Sequence, residues 1–203
     1  MRIVDIRETA IPLNSSLANS SFNFSEMTTS VVAVLTDVKR GGKPVCGFAF
    51  NSTGRYACGA QMRGRFIPRI LKADPKSLLD ETGDNFAPEK ILAVMMQSEK
   101  SGCHSERSVG IGTIEVAVWD AVAKIANKPL HRLLAERYNG GKVAEKVFCY
   151  VGGGWYGPGK TTQDLQDEMR GHLDAGYTMV KMKVGGMLLA SDLARVDAVK
   201  SIL

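Results

Sequence analysis

The stretch Tyr177-Thr178-Met179-Val180-Lys181-Met182-Lys183-Val184 carries two lysines, separated by a single residue, in an otherwise largely apolar run. Successive side chains of a β-strand point to opposite faces, so Lys181 and Lys183 are predicted to share one face. Each ammonium makes its neighbour harder to protonate, and burial adds to that effect, so one amine can be neutral enough near pH 7 to take a proton from carbon. The alternative is a surface strand whose lysines are solvated or guard an edge.

The elements around this strand indicate a parallel β/α arrangement. The pattern predicts a strand over 146–151, a glycine-rich loop, a helix over 162–175, the lysine strand over 178–184 and a helix over 191–203. Strands that alternate with helices imply right-handed βαβ units and a parallel sheet. Two parallel strands cannot bury both of their faces, so we expect this part to be an incomplete sheet.

The residues before this region predict a different class of structure. Alternating or β-branched runs over 2–11, 31–35 and 45–50 indicate an antiparallel meander, and a long polar loop over 14–29 separates its first two strands. Helical periodicity begins at Ala60, and a later apolar stripe is the clearest helix; its members are Ile114, Ala117, Val118, Ala121, Val122 and Ile125.

A polar break at Asn139-Gly140-Gly141-Lys142 marks the predicted domain boundary. We therefore predict an α+β domain over residues 1–138, formed by the meander and its helices. The β/α region is predicted to occupy residues 139–203.

Composition excludes several classes of protein. The chain has 203 residues, 44% of them hydrophobic and 23% charged, which is ordinary for a globular protein. The N-terminus lacks the apolar core of a signal peptide, and no apolar run reaches the length of a membrane span, so we expect a cytoplasmic protein without a membrane partner. The net charge of +5 is mild and no RNA-binding or zinc-finger signature accompanies it, so no nucleic-acid partner is predicted. The four cysteines form no Cys-x-x-Cys pair and are interpreted as free thiols.

A second motif competes with the lysine pair. Gly154-Trp155-Tyr156-Gly157-Pro158-Gly159-Lys160-Thr161 fits the phosphate-binding loop of P-loop nucleotide-binding proteins and lies between a predicted strand and helix. However, Pro158 has no amide hydrogen, and Trp155 and Tyr156 are bulky for a loop that wraps an anion. A P-loop nucleotide-binding protein and a non-catalytic α/β binding fragment remain the two alternatives to an enzyme that uses the lysine pair.

Three segments in order resemble the mandelate racemase/muconate lactonizing enzyme branch of the enolase superfamily: Glu115–Lys124, Lys128–Leu134 and Val180–Gly186. The last contains the Lys-x-Lys element of that branch. Further segments are similar to the tartrate-dehydrating members of the branch; they are Met27–Ser30, Phe50–Ser52, Gly54–Tyr56, Glu99–Lys100 and His104–Val109.

The resemblance implies an α+β cap domain followed by the first two β/α units of a TIM-type barrel, incomplete in this chain. It also implies a Mg²⁺-dependent dehydratase acting on a small hydroxy-diacid or sugar acid, in which a base removes the proton next to a carboxylate and Mg²⁺ stabilises the enediolate. The metal ligands are expected beyond Leu203, with none in this chain. The full-length protein is expected to be a homo-oligomer, and this chain alone to be inactive.

The resemblance also assigns roles to five residues. Lys183 is the expected base, and Lys181 is expected to lower the pKa of Lys183 and to hold the substrate carboxylate. Asn19, Thr53 and Lys100 are the expected substrate-binding residues.

Overall fold

The computed structural model describes residues 1–25, 27–51, 58–100 and 105–203, and the side chain of Ser105 lies outside this description. Thr53, one of the expected substrate-binding residues, is among the residues that it does not describe. The chain forms two compact units. The first contains Met1–Pro12 and Thr28–Val143, and the second contains Leu13–Met27 and Ala144–Leu203.

The first unit is built on an antiparallel sheet in the order β1-β2-β3, with β1 at Ile3–Pro12, β2 at Thr28–Arg40 and β3 at Lys43–Phe50. Alternate residues of β2 from Ser30 to Thr36 are buried, as the period of a half-buried strand requires. Gly47 of β3 lies directly against the backbone of Ala117, and a side chain there would clash. This glycine allows the sheet and a helix to approach closely.

Helices cover one face of this sheet. Their bounds are α1 Cys58–Gln61, a π-helical turn Met62–Phe66, α2 Ile67–Lys72, a 3-10 turn Pro75–Leu78, α3 Pro88–Met95, α4 Ser105–Ile125 and α5 Leu130–Tyr138. The apolar stripe predicted for α4 lies in the core, where Ile114, Ala117 and Val122 are fully buried. The helical pattern that begins at Ala60 is also present, although Leu71 is 41% exposed while Ile70 is buried.

The second unit contains two β/α units. Strand β4 (Val151–Gly153) pairs in parallel with β5 (Val180–Met182); α6 (Thr162–Asp174) follows β4, and α7 (Leu189–Lys200) follows β5. Its small core is formed by Leu165, Met169 and Val199, with Val180, Met182 and Ile202 packed against them. Strand β5 is shorter than the predicted 178–184, because the ladder joins only three residue pairs. The strand predicted over 146–151 is wrong except at Val151, where β4 begins, and residues 146–150 form no strand.

The loop between β1 and β2 belongs to the second unit. Ala18 exchanges both backbone hydrogen bonds with Tyr156, at 3.0 Å each, and forms a second bridge with Asn23. The sequence pattern divided the chain after residue 138, whereas the contacts divide it after Val143 and place 13–27 with the C-terminal part.

These observations confirm the predicted fold class, an antiparallel meander with helices followed by two β/α units. None of the helices within the described ranges has the length and apolar character that crossing a membrane would require.

Candidate active site

The two lysines lie at the carboxyl end of β5. Lys181 is in the strand and is exposed, and Lys183 follows the last strand residue and is partly buried. A hydrogen bond with Lys181, burial, and the positive charge of Lys181 lower the pKa of Lys183 below its ordinary value. The structure therefore brings together two of the five predicted site residues and places an amine with a depressed pKa at the end of a parallel strand.

An aromatic pair covers Lys183. The Lys183 Nζ lies 4.4 Å from the ring centroid of Trp155, in cation–π geometry. Trp155 in turn meets Phe24 edge to face, with 5.6 Å between the ring centroids. Because Phe24 is nearly buried, the two rings form a supported surface against the lysine.

The segment after Lys183 is held by a carboxylate. Asp192, in the first turn of α7, accepts hydrogen bonds from the Gly185 amide at 2.7 Å and from the Tyr156 hydroxyl at 2.8 Å. The Gly186 amide donates to the same hydroxyl at 3.0 Å, and a side chain at Gly186 would meet the Tyr156 ring at 2.6 Å. These bonds fix the turn that follows the lysine pair.

Charge in this network is balanced by a buried arginine. Arg195 pairs with Asp192 at 3.6 Å, donates to the Gly154 carbonyl at 2.8 Å and lies over the Tyr156 ring at 4.5 Å. Burial acts to raise the pKa of Asp192, but its hydrogen bonds and Arg195 hold that pKa below the ordinary value. Burial and the neighbouring Asp192 raise the pKa of Tyr156, so its hydroxyl stays protonated as a donor.

Asn19 lies in the loop between β1 and β2, which belongs to the second unit. Its side-chain oxygen accepts from the amides of Ser21 at 2.8 Å and Phe22 at 2.7 Å, and its own amide donates to the Phe22 carbonyl. This loop passes beside the turn after the lysines, since a Cβ on Gly185 would lie 3.6 Å from the Cβ of Ser20. The side-chain oxygen of Asn19 is therefore used within the loop.

Lys100 lies in the first unit, in a cleft of about 350 Å³. Its carbonyl accepts a hydrogen bond from Arg107 at 3.0 Å. The neighbouring Glu99 side chain is buried and is bonded by Arg65 and Arg69 at 2.8 Å and by Arg107 at 3.2 Å. Burial opposes ionisation of Glu99, yet these arginines hold its pKa below the ordinary value. The Glu99 carboxylate and the Lys100 carbonyl are thus both bonded by arginines.

The loop between β4 and α6 matches the phosphate-binding pattern in sequence but not in its contacts. The Gly154 amide donates to the Glu168 carboxylate at 3.1 Å, and Lys160 pairs with that carboxylate at 2.9 Å. Thr161 caps α6, and its amide and hydroxyl donate to Asp164. A phosphate bound by this loop would need the Gly154 amide and the Lys160 ammonium as donors. Both groups are bonded to the negatively charged Glu168 carboxylate instead. The contacts therefore argue against nucleotide binding.

The described residues bring together no group of three or more histidine, cysteine, aspartate or glutamate side chains that could hold a metal ion. Two carboxylates of the second unit, Glu168 and Asp192, are used in ion pairs and hydrogen bonds instead. The site described here does not itself fit a Mg²⁺ ion.

Solved structures share this fold. A mandelate racemase/muconate lactonizing enzyme-like protein from Rubrobacter xylanophilus aligns with a TM-score of 0.73 and 20% identity, covering 99% of this chain and 50% of that one. The fold is that of the mandelate racemase/muconate lactonizing enzyme group. L-talarate/galactarate dehydratase from Salmonella typhimurium, liganded with Mg and L-lyxarohydroxamate, aligns with a TM-score of 0.68 and 20% identity. The alignment covers 97% of this chain and 47% of that one.

Sequence relatives are acid-sugar dehydratases. Arabinonate dehydratase of Saccharolobus solfataricus is 31% identical over 94 residues, 46% of this chain and 24% of that protein. A D-galactonate dehydratase family member from Halomonas elongata is 36% identical over 81 residues, 40% of this chain and 18% of that protein. No family model matches the chain. The chain thus spans about half of the solved structures and a smaller part of the curated relatives that it matches.

Sequence reasoning missed the residues that support the lysine pair. Asp192 and Arg195 were absent from the predicted site, and Trp155 and Tyr156 entered only as obstacles to phosphate binding. The carboxylate in the first turn of the helix after the lysine strand was a usable signal, because such positions satisfy free amides. The contact between Trp155 and Lys183 has no local signature.

Proposed function

We propose that this chain is part of a Mg²⁺-dependent acid-sugar dehydratase of the enolase superfamily that converts D-tartrate to oxaloacetate. The lysine pair at the end of β5, in which Lys181 lowers the pKa of Lys183, is the observation that carries the proposal. Homology to acid-sugar dehydratases supports the reaction class. The choice of D-tartrate rests on the resemblance to D-tartrate dehydratase of five segments: Met27–Ser30, Phe50–Ser52, Gly54–Tyr56, Glu99–Lys100 and His104–Val109.

In the proposed reaction, the neutral Lys183 amine takes the proton from the carbon next to the substrate carboxylate. The electron pair of the broken bond moves to the carboxylate, and the charged Lys181 amine pairs with the resulting enediolate. The enediolate then expels the neighbouring hydroxyl, which takes a proton from a general acid expected outside the described residues and leaves as water. The enol that remains tautomerises to the ketone of the product. Asn19, Thr53 and Lys100 are proposed to contact the other oxygens of the substrate.

The magnesium ion of this proposal must be held by residues outside those described. L-talarate/galactarate dehydratase and a Bradyrhizobium enolase, complexed with magnesium and mandelic acid, share the fold and hold the metal. Because the described residues provide no ligand cluster, we propose that the 203-residue chain alone is inactive. Activity would then require a longer protein that contains this chain and the metal ligands.

The test uses such a longer protein with Mg²⁺ and a panel of sugar acids. We expect turnover of D-tartrate, and exchange of its carbon-bound proton with solvent deuterium. Lys183→Ala should abolish both, because general-base catalysis contributes about 10²–10⁴-fold on its own. Lys200→Ala, which removes an exposed lysine from the end of α7, is the matched control and should change neither. Turnover of none of the acids, or normal exchange in Lys183→Ala, would refute the proposal.

A further inference from the structure

The loop after β4 has the sequence pattern of a phosphate-binding loop, but its contacts argue against nucleotide binding. Its aromatic residues contact the lysine segment instead. Trp155 places its ring 4.4 Å from the Lys183 Nζ, and Tyr156 holds the amide of Gly186. Phe24, from the loop between β1 and β2, contacts the ring of Trp155. Two loops that are distant in sequence therefore converge on the residue proposed as the base.

We propose that Trp155 is a positioning residue for Lys183: its indole face, supported by Phe24, holds the amine at one place beyond the end of β5. The inference deepens the proposed function, since it concerns the base of that reaction. The contact itself is a property of the second unit and can be measured whether or not the protein is a dehydratase.

A lysine side chain has four rotatable bonds, and a catalytic amine must lie at a fixed point relative to the reacting carbon. Misplacement by about 1 Å can cost roughly 10²-fold in rate. The backbone around Lys183 is fixed by Asp192, but that constraint ends at the Cα atom. The Trp155 ring provides the corresponding constraint at the amine.

The indole face also acts on the charge of Lys183. An aromatic face favours the ammonium form, whereas the neighbouring positive charge of Lys181 favours the neutral amine. Lys181 is the charged group of the described residues that acts on Lys183. Two neighbours therefore act on the pKa of Lys183 in opposite directions: Lys181 of β5 lowers it, and the Trp155 ring of the loop after β4 favours the charged form.

The contact can be tested by nuclear magnetic resonance on the 203-residue chain with ¹³C-labelled lysine. We expect the Lys183 ε-protons to be shifted upfield by the indole ring current and to be inequivalent. In Trp155→Leu they should move to the position of the exposed lysines, while Trp155→Phe should keep part of the shift. Trp119→Leu, which removes the other tryptophan in the first unit, should leave them unchanged. Lys183 signals that already coincide with those of exposed lysines in the parent chain would overturn the inference.

A reciprocal measurement covers the case in which Trp155→Leu does not fold. In a Trp119→Phe background Trp155 is the single tryptophan, because the chain has two tryptophans. Lys183→Met should change the Trp155 emission, and Lys200→Met should not. Equal emission in both variants would contradict the contact.

The positioning role is tested in the longer protein by exchange of the substrate proton. We expect Trp155→Leu to lower the exchange rate by about 10- to 100-fold with little change in KM, and Trp155→Phe to restore most of it. A parent-like rate in Trp155→Leu would overturn the positioning role. No exchange in the parent protein, with the resonance shift present, would instead refute the dehydratase and leave the contact established.

Discussion

Replacement of Asp192 by alanine should destabilise the second unit by several kcal/mol. The carboxylate accepts hydrogen bonds from Tyr156, Gly185 and Met187 and forms the ion pair with Arg195, whose side chain is 8% exposed. Removing one partner of a buried ion pair costs about 3–5 kcal/mol, because the other charge is left uncompensated. Arg195 keeps its bond to the Gly154 carbonyl, so we expect the lower end, about 3 kcal/mol.

Urea unfolding followed by the emission of Trp155 measures this loss, in a Trp119→Phe background so that the signal comes from the second unit alone. The matched control is Asp197→Ala, which removes an exposed carboxylate from the same helix and should cost no more than about 0.5 kcal/mol. The amides of Gly185 and Met187 should also exchange with deuterium faster in Asp192→Ala only. Equal unfolding midpoints for the two variants would show that the carboxylate does not hold the turn.

Three further predictions concern single residues. Gly186→Ala should displace the Tyr156 ring, which lies 2.6 Å from the position of the added Cβ, and should lower the unfolding midpoint of the second unit; an unchanged midpoint would contradict the close approach. Lys181→Met should raise the pKa of Lys183 in a ¹³C titration, since the neighbouring amine that lowers it is removed; a lower value would show that burial dominates. The lowered pKa of Glu99 means that its stabilisation is present above the ordinary value of 4.5 and is lost as the pH falls through the lowered pKa. The urea midpoint of the first unit should therefore fall as the pH is lowered from about 4.5 through the lowered pKa in the parent chain, and Glu99→Gln should reduce that fall.

Local sequence pattern was sufficient to predict most of the helices and strands. The alternation in β2 and the apolar stripe of α4 each have a period that sequence displays directly, and both lie in the core. Strand β5 was predicted too long and β4 too early in the chain, because β propensity marks residues suited to a strand and cannot show where a partner lies or how far it extends. The loop predicted over 14–29 ends earlier, because β2 begins at Thr28, and the pairing of Ala18 with Tyr156 depends on contacts far apart in the chain.

The candidate site also contains residues that local sequence pattern could predict and residues that it could not. Lys181 and Lys183 could be placed together because a period of two fixes their relation within one strand. Trp155 and Asp192 contact the lysine segment from other elements, and Arg195 is connected to it through Asp192. No spacing rule joins these residues to the segment. The roles of Asn19, Thr53 and Lys100 stay predictions, since they concern a substrate and depend on family resemblance.

The assignment of residues 13–27 to the second unit has a consequence for biosynthesis. At a translation rate of about 5–20 residues per second, Tyr156 emerges on the order of ten seconds after Ala18, its pairing partner. The strands that flank this loop can already be paired with each other by then, so the loop lacks its Tyr156 partner while the chain is still bound to the ribosome. A nascent chain arrested before Tyr156 should therefore be cut by proteases within residues 13–27, and the same bonds should become resistant once the second unit has been released.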